Sequence, residues 1–427
     1  MKQPNWASEM EPGHWYPISG DRPGLGLPAT AKGTRYLHDN DPAADRRINP
    51  ARTFKERLRR LLGRRPHSPW HGRVGFSAIT EASNGAIFAS RFGDCGSMIV
   101  FGGGHNNYFG SDMHAFDLGS REWSRISDGY VTGAPDEYGA GREYPNSTYP
   151  DGSPVPPHTY GYVQYDPVGN DFILFKGALA LGPEPLAVAI PHMFNFDTLS
   201  WRRGPEHEQA ILNSGGWTTW DATRRTLWGH SGDDAGGNAF IDFRPDGDNG
   251  DGTFGQWGDL HPNKLPGYAN HNAMQIDPRG NVVVIAAHRK DTLFALNPGS
   301  PESPVQQLSE DRTELSLSPY AAFEFAPNLD CFVYFSANQG GKIYAVHAPS
   351  GFSWSELVSG IWRWSCLSAS GPALNPISHA SAVTSYGINR EHVFGKLRIA
   401  SFEGIDMAVL VRHVDTPVYV MKLNPTT

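Results

Sequence analysis

The stretch from Ser97 to Trp123 reads SMIVFGGGHNNYFGSDMHAFDLGSREW, and its pattern decides the fold. A short apolar run ends in glycines, a polar loop follows, and a second apolar run ends at Asp117 shortly before Trp123. Short apolar runs bounded by Gly, Asn and Asp are typical of β-strands joined by turns. The stretch therefore predicts three of the four strands of a small sheet.

The same pattern returns along the chain with a period of about 50 residues. Each unit has an apolar strand that leads into a turn such as Asp-Pro, a second apolar strand, a polar or Gly-rich loop, a third strand, and often a Trp in a fourth. The second strands of five units are residues 97–101, 172–175, 226–229, 282–285 and 331–335. A sixth unit, over residues 396–421, lacks its fourth strand.

The N-terminal residues 13–18 have the pattern of the strand that the sixth unit lacks. One such unit cannot cover its own apolar faces, whereas radial stacking of several units covers them. The sequence therefore predicts an all-β protein, a β-propeller of six or seven four-stranded blades, closed by the N- and C-terminal strands. Residues 1–427 form one domain in this interpretation, and a seventh blade would lie within residues 19–69 or 355–394.

Composition excludes several classes of protein. The chain has 36 Lys and Arg against 44 Asp and Glu, whereas a nucleic-acid-binding protein needs a basic surface. Its three cysteines, Cys95, Cys331 and Cys366, are too few for a disulfide framework. No apolar run is long enough to span a membrane, and the N-terminus lacks the apolar core of a signal peptide. We expect a monomer, cytoplasmic as written, or secreted or periplasmic if a leader was removed.

Residues 46–65 differ from the rest of the chain. They contain nine Arg and Lys residues and one acid, Glu56. Four apolar residues of the segment fall on one face of a helix, namely Phe54, Leu58, Leu61 and Leu62. We expect a basic amphipathic helix inserted before the first full blade, which either docks on the propeller or faces an anionic partner.

Propeller geometry sorts the polar residues onto two faces. The loop that leads into the first strand and the loop from the second to the third strand share one face. By this rule seven histidines converge near the axis, namely His71, His105, His158, His230, His271, His288 and His413. Amides and cations on the same face are Asn106, Asn107, Lys176, Asn238, Arg289, Asn338, Gln339 and Arg398. Such a set suits an anionic or polyhydroxylated ligand, and several imidazoles could alternatively hold a metal ion.

The segment from Phe101 to Asp117 resembles the signature of kelch and galactose-oxidase-type propellers. Its GGGH start is most similar to propeller enzymes that act on uronic-acid polysaccharides, the ulvan lyases and rhamnose–glucuronate lyases. Residues 157–161 (PHTYG) and 394–399 (FGKLRI) resemble segments of the second and the closing blade in that group. Those lyases have seven blades, and Lys176 stands where they carry an arginine after the catalytic tyrosine.

The resemblance implies a polysaccharide lyase that cleaves acidic glycans by β-elimination, with His105, His158 and Tyr160 as catalytic residues. His105 or Tyr160 would take the proton at C5 and its partner would protonate the leaving oxygen, while a cation neutralises the carboxylate. The substrate-binding residues would be Asn106, Asn107, Lys176, His230, His271, His288, Arg289 and Arg398. The sequence requires no cofactor, although a Ca²⁺ or Zn²⁺ ion could supply the positive charge.

Three other functions stay open. The protein could be a non-catalytic kelch-type module that binds a glycan or a protein. A glycoside hydrolase would need facing carboxylates, for which Asp233 and Asp234 are the candidates. A copper oxidase of the galactose-oxidase type would need a Tyr–Cys cross-link, and no cysteine stands in a recognisable partner position.

Overall fold

The computed structural model describes residues 1–19, 79–80, 84–102, 111–127, 148–175, 188–211, 215–230, 240–261, 265, 271–312, 315–351, 353–369, 376, 393–412 and 416–423. The basic segment 46–65 and the residues Asp233 and Asp234 lie outside these ranges. Within them, short antiparallel strands predominate. No helix in this part of the chain combines the length and apolar character needed to cross a membrane.

The blades are numbered in chain order, and the four strands of each blade run from the innermost to the outermost. Strand β1 (Trp15–Pro17) is the exception, because it comes first in the chain but is the outermost strand of blade 6. Blade 1 contains β2 (Ala86–Ala89), β3 (Ser97–Val100), β4 (Met113–Asp117) and β5 (Glu122–Ser127). Residues 163–211 form six strands, β6 (Val163–Asp166), β7 (Asp171–Leu174), β8 (Val188–Ala189), β9 (His192–Asn195), β10 (Ser200–Arg203) and β11 (His207–Ile211). Blade 2 contains β6, β7, β9 and β10, and β8 pairs with β11 in an additional two-stranded sheet.

Blades 3 and 4 follow the same order. Blade 3 contains β12 (Trp217–Asp221), β13 (Thr226–His230), β14 (Phe240–Asp248) and β15 (Phe254–His261). Blade 4 contains β16 (Ala273–Ile276), β17 (Val283–Ala287), β18 (Thr292–Leu296) and the short β19 (Gln306–Gln307).

Blade 5 has a fifth strand, because β20 pairs in parallel with its outermost strand β24. Its elements are β20 (Ser309–Glu310), β21 (Ala322–Ala326), β22 (Cys331–Phe335), β23 (Ile343–His347), the helix α1 (Trp354–Ser359) and β24 (Ile361–Cys366). Blade 6 contains β25 (Leu397–Phe402), β26 (Ile405–Leu410), β27 (Tyr419–Lys422) and β1. Short 3-10 helices cover Asn5–Glu9 and Ala337–Gln339.

The innermost strands contact one another in chain order around a ring. Contacts join β2 to β6, β6 to β12, β12 to β16, β16 to β21 and β21 to β25, and β25 in turn contacts β2. The predicted all-β propeller is therefore confirmed, with six four-stranded blades in the described part of the chain.

Strand β1 completes blade 6 beside β27. Trp15 pairs with Met421 and Pro17 with Tyr419 in antiparallel register. Pro17 is tolerated because an outermost strand can lack one N–H donor. The Trp15 indole also reaches blade 5, where its Nε1 donates to the carbonyl of Gly341 at 2.6 Å. The predicted closure by the two terminal strands is thus confirmed.

Aromatic and aliphatic side chains fill the spaces between neighbouring blades. Between blades 1 and 2, the Phe101 ring lies 5.3 Å from Trp201 and 5.8 Å from Phe172, measured between centroids. All four residues of β7 are buried, because the adjoining blades cover both faces of blade 2. Fully burying one such side chain contributes roughly 1.5–3 kcal/mol, so packing between blades is the main stabilising interaction of the ring.

Alternating strand direction gives the disc two faces. The turn face carries the turns from the first to the second strand and from the third to the fourth strand of each blade. The loop face carries the residues that lead into the first strands, together with the ends of the second strands. Of the residues that the sequence assigned to a site, those in the described ranges belong to the loop face or to the start of an innermost strand, namely His158, Tyr160, His230, His271, His288, Arg289, Asn338, Gln339 and Arg398.

Candidate functional site

Four aromatic side chains surround the axis at the loop face. Tyr160, His271, Tyr320 and Phe394 each precede the first strand of a blade, in blades 2, 4, 5 and 6. Their backbone is left-handed, with φ values of 44°, 63°, 60° and 51°. This conformation is uncommon for bulky residues, and its recurrence at one position of the repeat shows that the lead-in turn requires it. These four residues are named the aromatic collar.

Backbone hydrogen bonds join the lead-in turns from blade to blade. The His271 amide donates to the carbonyl of Gly215 at 2.8 Å. The Tyr320 amide donates to the His271 carbonyl at 3.2 Å, and the Phe394 amide donates to the Tyr320 carbonyl at 3.0 Å. The turns of blades 3 to 6 therefore form one continuous arc around the axis.

The collar rings contact one another in a closed cycle. The centroid of His271 lies 5.7 Å from that of Tyr160 and 4.0 Å from that of Tyr320. The centroid of Phe394 lies 4.4 Å from Tyr320 and 6.3 Å from Tyr160. Tyr160 and Phe394 are buried, whereas His271 and Tyr320 are partly exposed. A ligand at this face would therefore meet His271 and Tyr320 first.

The indole of Trp217 extends across the axis next to the collar. Trp217 belongs to blade 3, yet a Cβ atom added at Gly395 of blade 6 would lie 3.2 Å from its ring. A Cβ atom at Gly161 of blade 2 would lie 2.4 Å from the same ring, a distance that real contacts do not reach. Glycine at these two positions therefore makes room for the indole, which fills the axis between opposite blades.

His158 and Tyr160 form a pair within the lead-in turn of blade 2. Tyr160 Oη and His158 Nδ1 are 3.4 Å apart, a long hydrogen bond. Their rings meet edge to face with centroids 5.9 Å apart. His158 is 8% exposed and Tyr160 is 4% exposed. A phenol and an imidazole can each act as a general acid or base towards a substrate within hydrogen-bond reach.

A second polar group adjoins the collar on blade 4. Asn272 directly follows His271, and its Oδ1 accepts from the His288 amide at 3.2 Å and lies 3.0 Å from His288 Nδ1. Burial, reinforced by the charge of Arg289, lowers the pKa of His288 to about 4. The imidazole is therefore neutral at pH 7, and donation from Nδ1 to Asn272 leaves Nε2 as the acceptor nitrogen.

A small cavity between blades 3 and 4 lies beside this group. Trp217, His230 and Asn272 line it together with apolar side chains, and its volume of about 10 Å³ is enough for roughly one water molecule. Three of the predicted residues, His230, His271 and His288, are thus neighbours of Asn272.

The predicted cations occupy different environments. Arg398 is 5% exposed, and its guanidinium donates to Glu324 and to the carbonyls of Ala86 and Val163. Arg289 is exposed beside His288. The structure therefore turns Arg398 towards protein groups, whereas the Arg289 side chain lies at the surface.

Other predicted residues lie outside the described part of the chain, namely His71, His105, Asn106, Asn107, Lys176, Asn238 and His413. The structure brings His158, Tyr160 and His271 together and places His230 and His288 beside them. Asn338 donates through Nδ2 to Ser318 Oγ at 3.2 Å, and Gln339 through Nε2 to the Ser316 carbonyl at 3.2 Å. The catalytic and substrate-binding roles of all these residues stay predictions.

Metal ligands do not gather in the described residues, where no group of three or more His, Cys, Asp or Glu side chains is placed to hold an ion. The three cysteines are free thiols, with Cys95 and Cys331 buried and Cys366 exposed. The Ca²⁺ or Zn²⁺ ion considered from the sequence therefore stays a prediction without an assigned site.

Sequence reasoning did not identify Tyr320, Phe394, Trp217 or Asn272 as parts of this site. A usable signal exists for the first two, since aligning the units by their first strands brings Tyr320 and Phe394 close to the position of Tyr160. Trp217 is the first residue of β12, and nothing in the strand pattern shows that its ring approaches the axis. Asn272 directly precedes β16, and nothing in the pattern shows that it contacts the loop of His288.

Comparison with known proteins finds no matching family model and no matching curated protein. Solved structures that are similar over 81% of this chain include a Bacteroides thetaiotaomicron VPI-5482 protein of unknown function, with 8% identity, 70% of that chain covered and a TM-score of 0.44. The major allergen Mala s 1 of Malassezia sympodialis has 9% identity, 93% coverage and a TM-score of 0.40. A streptogramin B lyase has 10% identity, 95% coverage and a TM-score of 0.40. Similarity at this level carries no conclusion about function.

Proposed function

We propose that this propeller is a carbohydrate-active enzyme, a polysaccharide lyase that cleaves uronic-acid-containing glycans by β-elimination. The observation that carries the proposal is the contact between Tyr160 Oη and His158 Nδ1, 3.4 Å long, beside the axis at the loop face. The resemblance of residues 101–117 and 157–161 to propeller lyases supports the same assignment.

The proposed reaction uses the pair as base and acid. One member removes the proton at C5 of the uronate, the electron pair forms the C4–C5 double bond, and the C4–O bond breaks. The leaving oxygen then takes a proton from the other member or from His105. Acid–base groups of this kind contribute roughly 10²–10⁴-fold to a rate.

Charge neutralisation is the second requirement, because the carboxylate must accept electron density as C5 loses its proton. Arg289 is exposed next to His288 on this face, and His271 is a partly exposed collar residue whose ring contacts Tyr160. We assign the carboxylate to Arg289, His271 and Lys176. The partly exposed Tyr320 offers the apolar body of the sugar a neighbouring surface.

The test is a panel of acidic polysaccharides, including ulvan, glucuronan and gum arabic, followed by ultraviolet absorbance of the unsaturated product. The proposal expects product with at least one of them and its loss in Tyr160→Phe, which removes only the hydroxyl. Tyr165→Phe is the matched control, since Tyr165 lies at the opposite end of strand β6. Absence of product across the panel would remove the lyase assignment.

A glycan-binding module without catalysis is the second candidate. The low exposure of His158 and Tyr160, 8% and 4%, supports it, because a base must reach the carbon-bound proton. Calorimetric titration with the same glycans separates the two functions. Binding without turnover, unchanged in Tyr160→Phe but weakened in Arg289→Ala, would favour the module.

A further inference from the structure

Arg398 connects four of the six blades at the axis. It lies in β25 of blade 6, and its Nε donates to the Ala86 carbonyl of blade 1 at 2.6 Å. Its Nη1 is 2.6 Å from Glu324 Oε1 of blade 5, and its Nη2 donates to the Val163 carbonyl of blade 2 at 3.2 Å. The guanidinium is buried, so these contacts are made away from bulk water.

Two of these contacts flank the turn that carries Tyr160. Val163 begins β6, and the turn before it is closed by the Tyr162 amide, which donates to the Thr159 carbonyl at 2.8 Å. Ala86 follows Gly85, whose amide donates to Thr159 Oγ1 at 2.8 Å.

The turn is also tightly packed against blade 1. A Cβ atom at Gly85 would lie only 2.2 Å from the carbonyl oxygen of Tyr160. Thr159 is therefore held between two chain segments whose carbonyl groups both accept from Arg398. A shift of the guanidinium would move the backbone on either side of the His158–Tyr160 pair.

Glu324 keeps the guanidinium in place. Both side chains are largely buried, and a buried guanidinium without a carboxylate would be strongly unfavourable. Burial raises the pKa of Glu324, and the adjacent Arg398 opposes that shift.

We propose that Arg398, held by Glu324, is a positioning residue that fixes Tyr160 relative to His158, and that it does not contact the glycan carboxylate. This inference rests on the function proposed above. It differs from the expectation from the sequence, in which Arg398 binds substrate.

The experiment compares Arg398→Lys and Glu324→Gln with the wild-type protein. In protein carrying ¹³C-labelled tyrosine and ¹⁵N-labelled histidine, Tyr160→Phe and His158→Gln assign the NMR signals of the pair. We expect both Arg398→Lys and Glu324→Gln to shift the Tyr160 and His158 signals. Arg279→Lys is the matched control, because Arg279 also bridges two blades, through Asp330 at 2.9 Å, but at the turn face; it should leave those signals unchanged.

Kinetics separate positioning from substrate binding. With an active glycan, Arg398→Lys should lower kcat on the order of ten- to a hundredfold with little change in KM, since small misplacement of a catalytic group slows the chemical step. A raised KM with kcat retained would overturn the proposal. Unchanged signals of the pair in a folded Arg398→Lys or Glu324→Gln variant would also overturn it. If no glycan is cleaved but the signals shift, the positioning role stands and the lyase assignment fails.

Discussion

The turn face and the loop face are built from the same repeat, but they use their polar residues differently. At the turn face, carboxylates stabilise the turns: Asp166 Oδ1 accepts from the Val168 amide at 2.8 Å, and Asp221 Oδ1 accepts from the Thr223 amide at 2.9 Å. At the loop face, the collar and its neighbours present imidazole and phenol groups. The comparison indicates that the turn face contributes stability, and the loop face is where we place the proposed proton chemistry.

Ion pairs between blades add to this contrast. Arg225 of blade 3 lies 3.4 Å from Asp166 of blade 2, and Arg279 of blade 4 lies 2.9 Å from Asp330 of blade 5. At the loop face the lead-in turns are joined by backbone hydrogen bonds and by the tilted, contacting rings of the aromatic collar, while the buried pair of Arg398 with Glu324 links blades 6 and 5 at the axis. We therefore expect changes at the turn face to alter stability without altering activity, whereas changes at the loop face can alter activity.

The largest effect is expected from one chemical change made at the two ends of β6. Tyr160→Phe should reduce the proposed lyase activity roughly 10²–10⁴-fold, because the phenol is a member of the proposed acid–base pair. Tyr165→Phe should leave activity intact and lower the free energy of unfolding by about 1 kcal/mol, since it removes the hydrogen bond from Tyr165 Oη to Asn170 Oδ1. Initial rates and urea unfolding measure both. Equal losses of activity in the two variants would contradict the division between the faces.

Asp171→Asn should change how stability depends on pH, because Asp171 is a buried acid at the turn face. Burial raises the pKa of Asp171 to about 6, although Arg202 opposes the shift. The folded protein therefore favours the protonated form, and this contribution to stability is complete below about pH 4 and is lost as the pH rises through about 6. As the pH rises between those values, the free energy of unfolding of the variant should increase by on the order of 3 kcal/mol relative to that of the wild type.

Unfolding in urea at a series of pH values measures this difference. Asp246→Asn is a suitable control, because Asp246 is an exposed acid of the same face. A difference between Asp171→Asn and wild type that does not change with pH would show that the pKa of Asp171 is the same in the folded and unfolded states, which would contradict the prediction.

His288→Gln should give the opposite pH dependence at the loop face. Because the pKa of His288 is lowered to about 4, the neutral imidazole contributes stability above about pH 6.5 that is lost as the pH falls through about 4. Because the ring is partly exposed, we expect this contribution to the free energy of unfolding to be about 1–3 kcal/mol. The variant should lose less stability on acidification than the wild type, measured by urea unfolding from pH 7 to pH 4. Parallel stability curves would contradict this.

Asp246→Asn should have the smallest effect. The Asp246 side chain is 55% exposed and lies 2.9 Å from Arg225 Nη1. Exposed ion pairs of this kind contribute about 0.2–1 kcal/mol. A small shift in the thermal midpoint that disappears in high salt is expected, with no effect on glycan cleavage. A loss of activity here would show that the two faces are coupled.

Much of the fold could be predicted from the sequence because it depends on local pattern. The alternation of apolar runs and turn residues marks the blades, and the missing fourth strand of the last unit points to residues 13–18. The parallel strand β20 and the small sheet of β8 with β11 were not predicted, since each has only a few residues and depends on a partner distant in sequence.

The site was harder to predict, for two physical reasons. Left-handed backbone is normally associated with Gly, Asn or Asp, so the aromatic residues Tyr320 and Phe394 gave no turn signal. The direction of Arg398 depends on which face of β25 meets the axis, and an isolated strand pattern does not determine that. His158 and Tyr160 lie close together although Tyr160 has left-handed backbone. Their proximity therefore comes from the lead-in turn and not from the same-side spacing of residues two apart on an extended strand.

The pairing of β1 with β27 has a consequence for how the molecule is made. Val418 donates through its amide to Ser19 Oγ, across 399 positions of the chain. At a synthesis rate of about 5–20 residues per second, the strand around Trp15 leaves the ribosome roughly 20–80 s before its partner exists. During that interval its apolar side is uncovered, and the disc can close only after β27 has been synthesised.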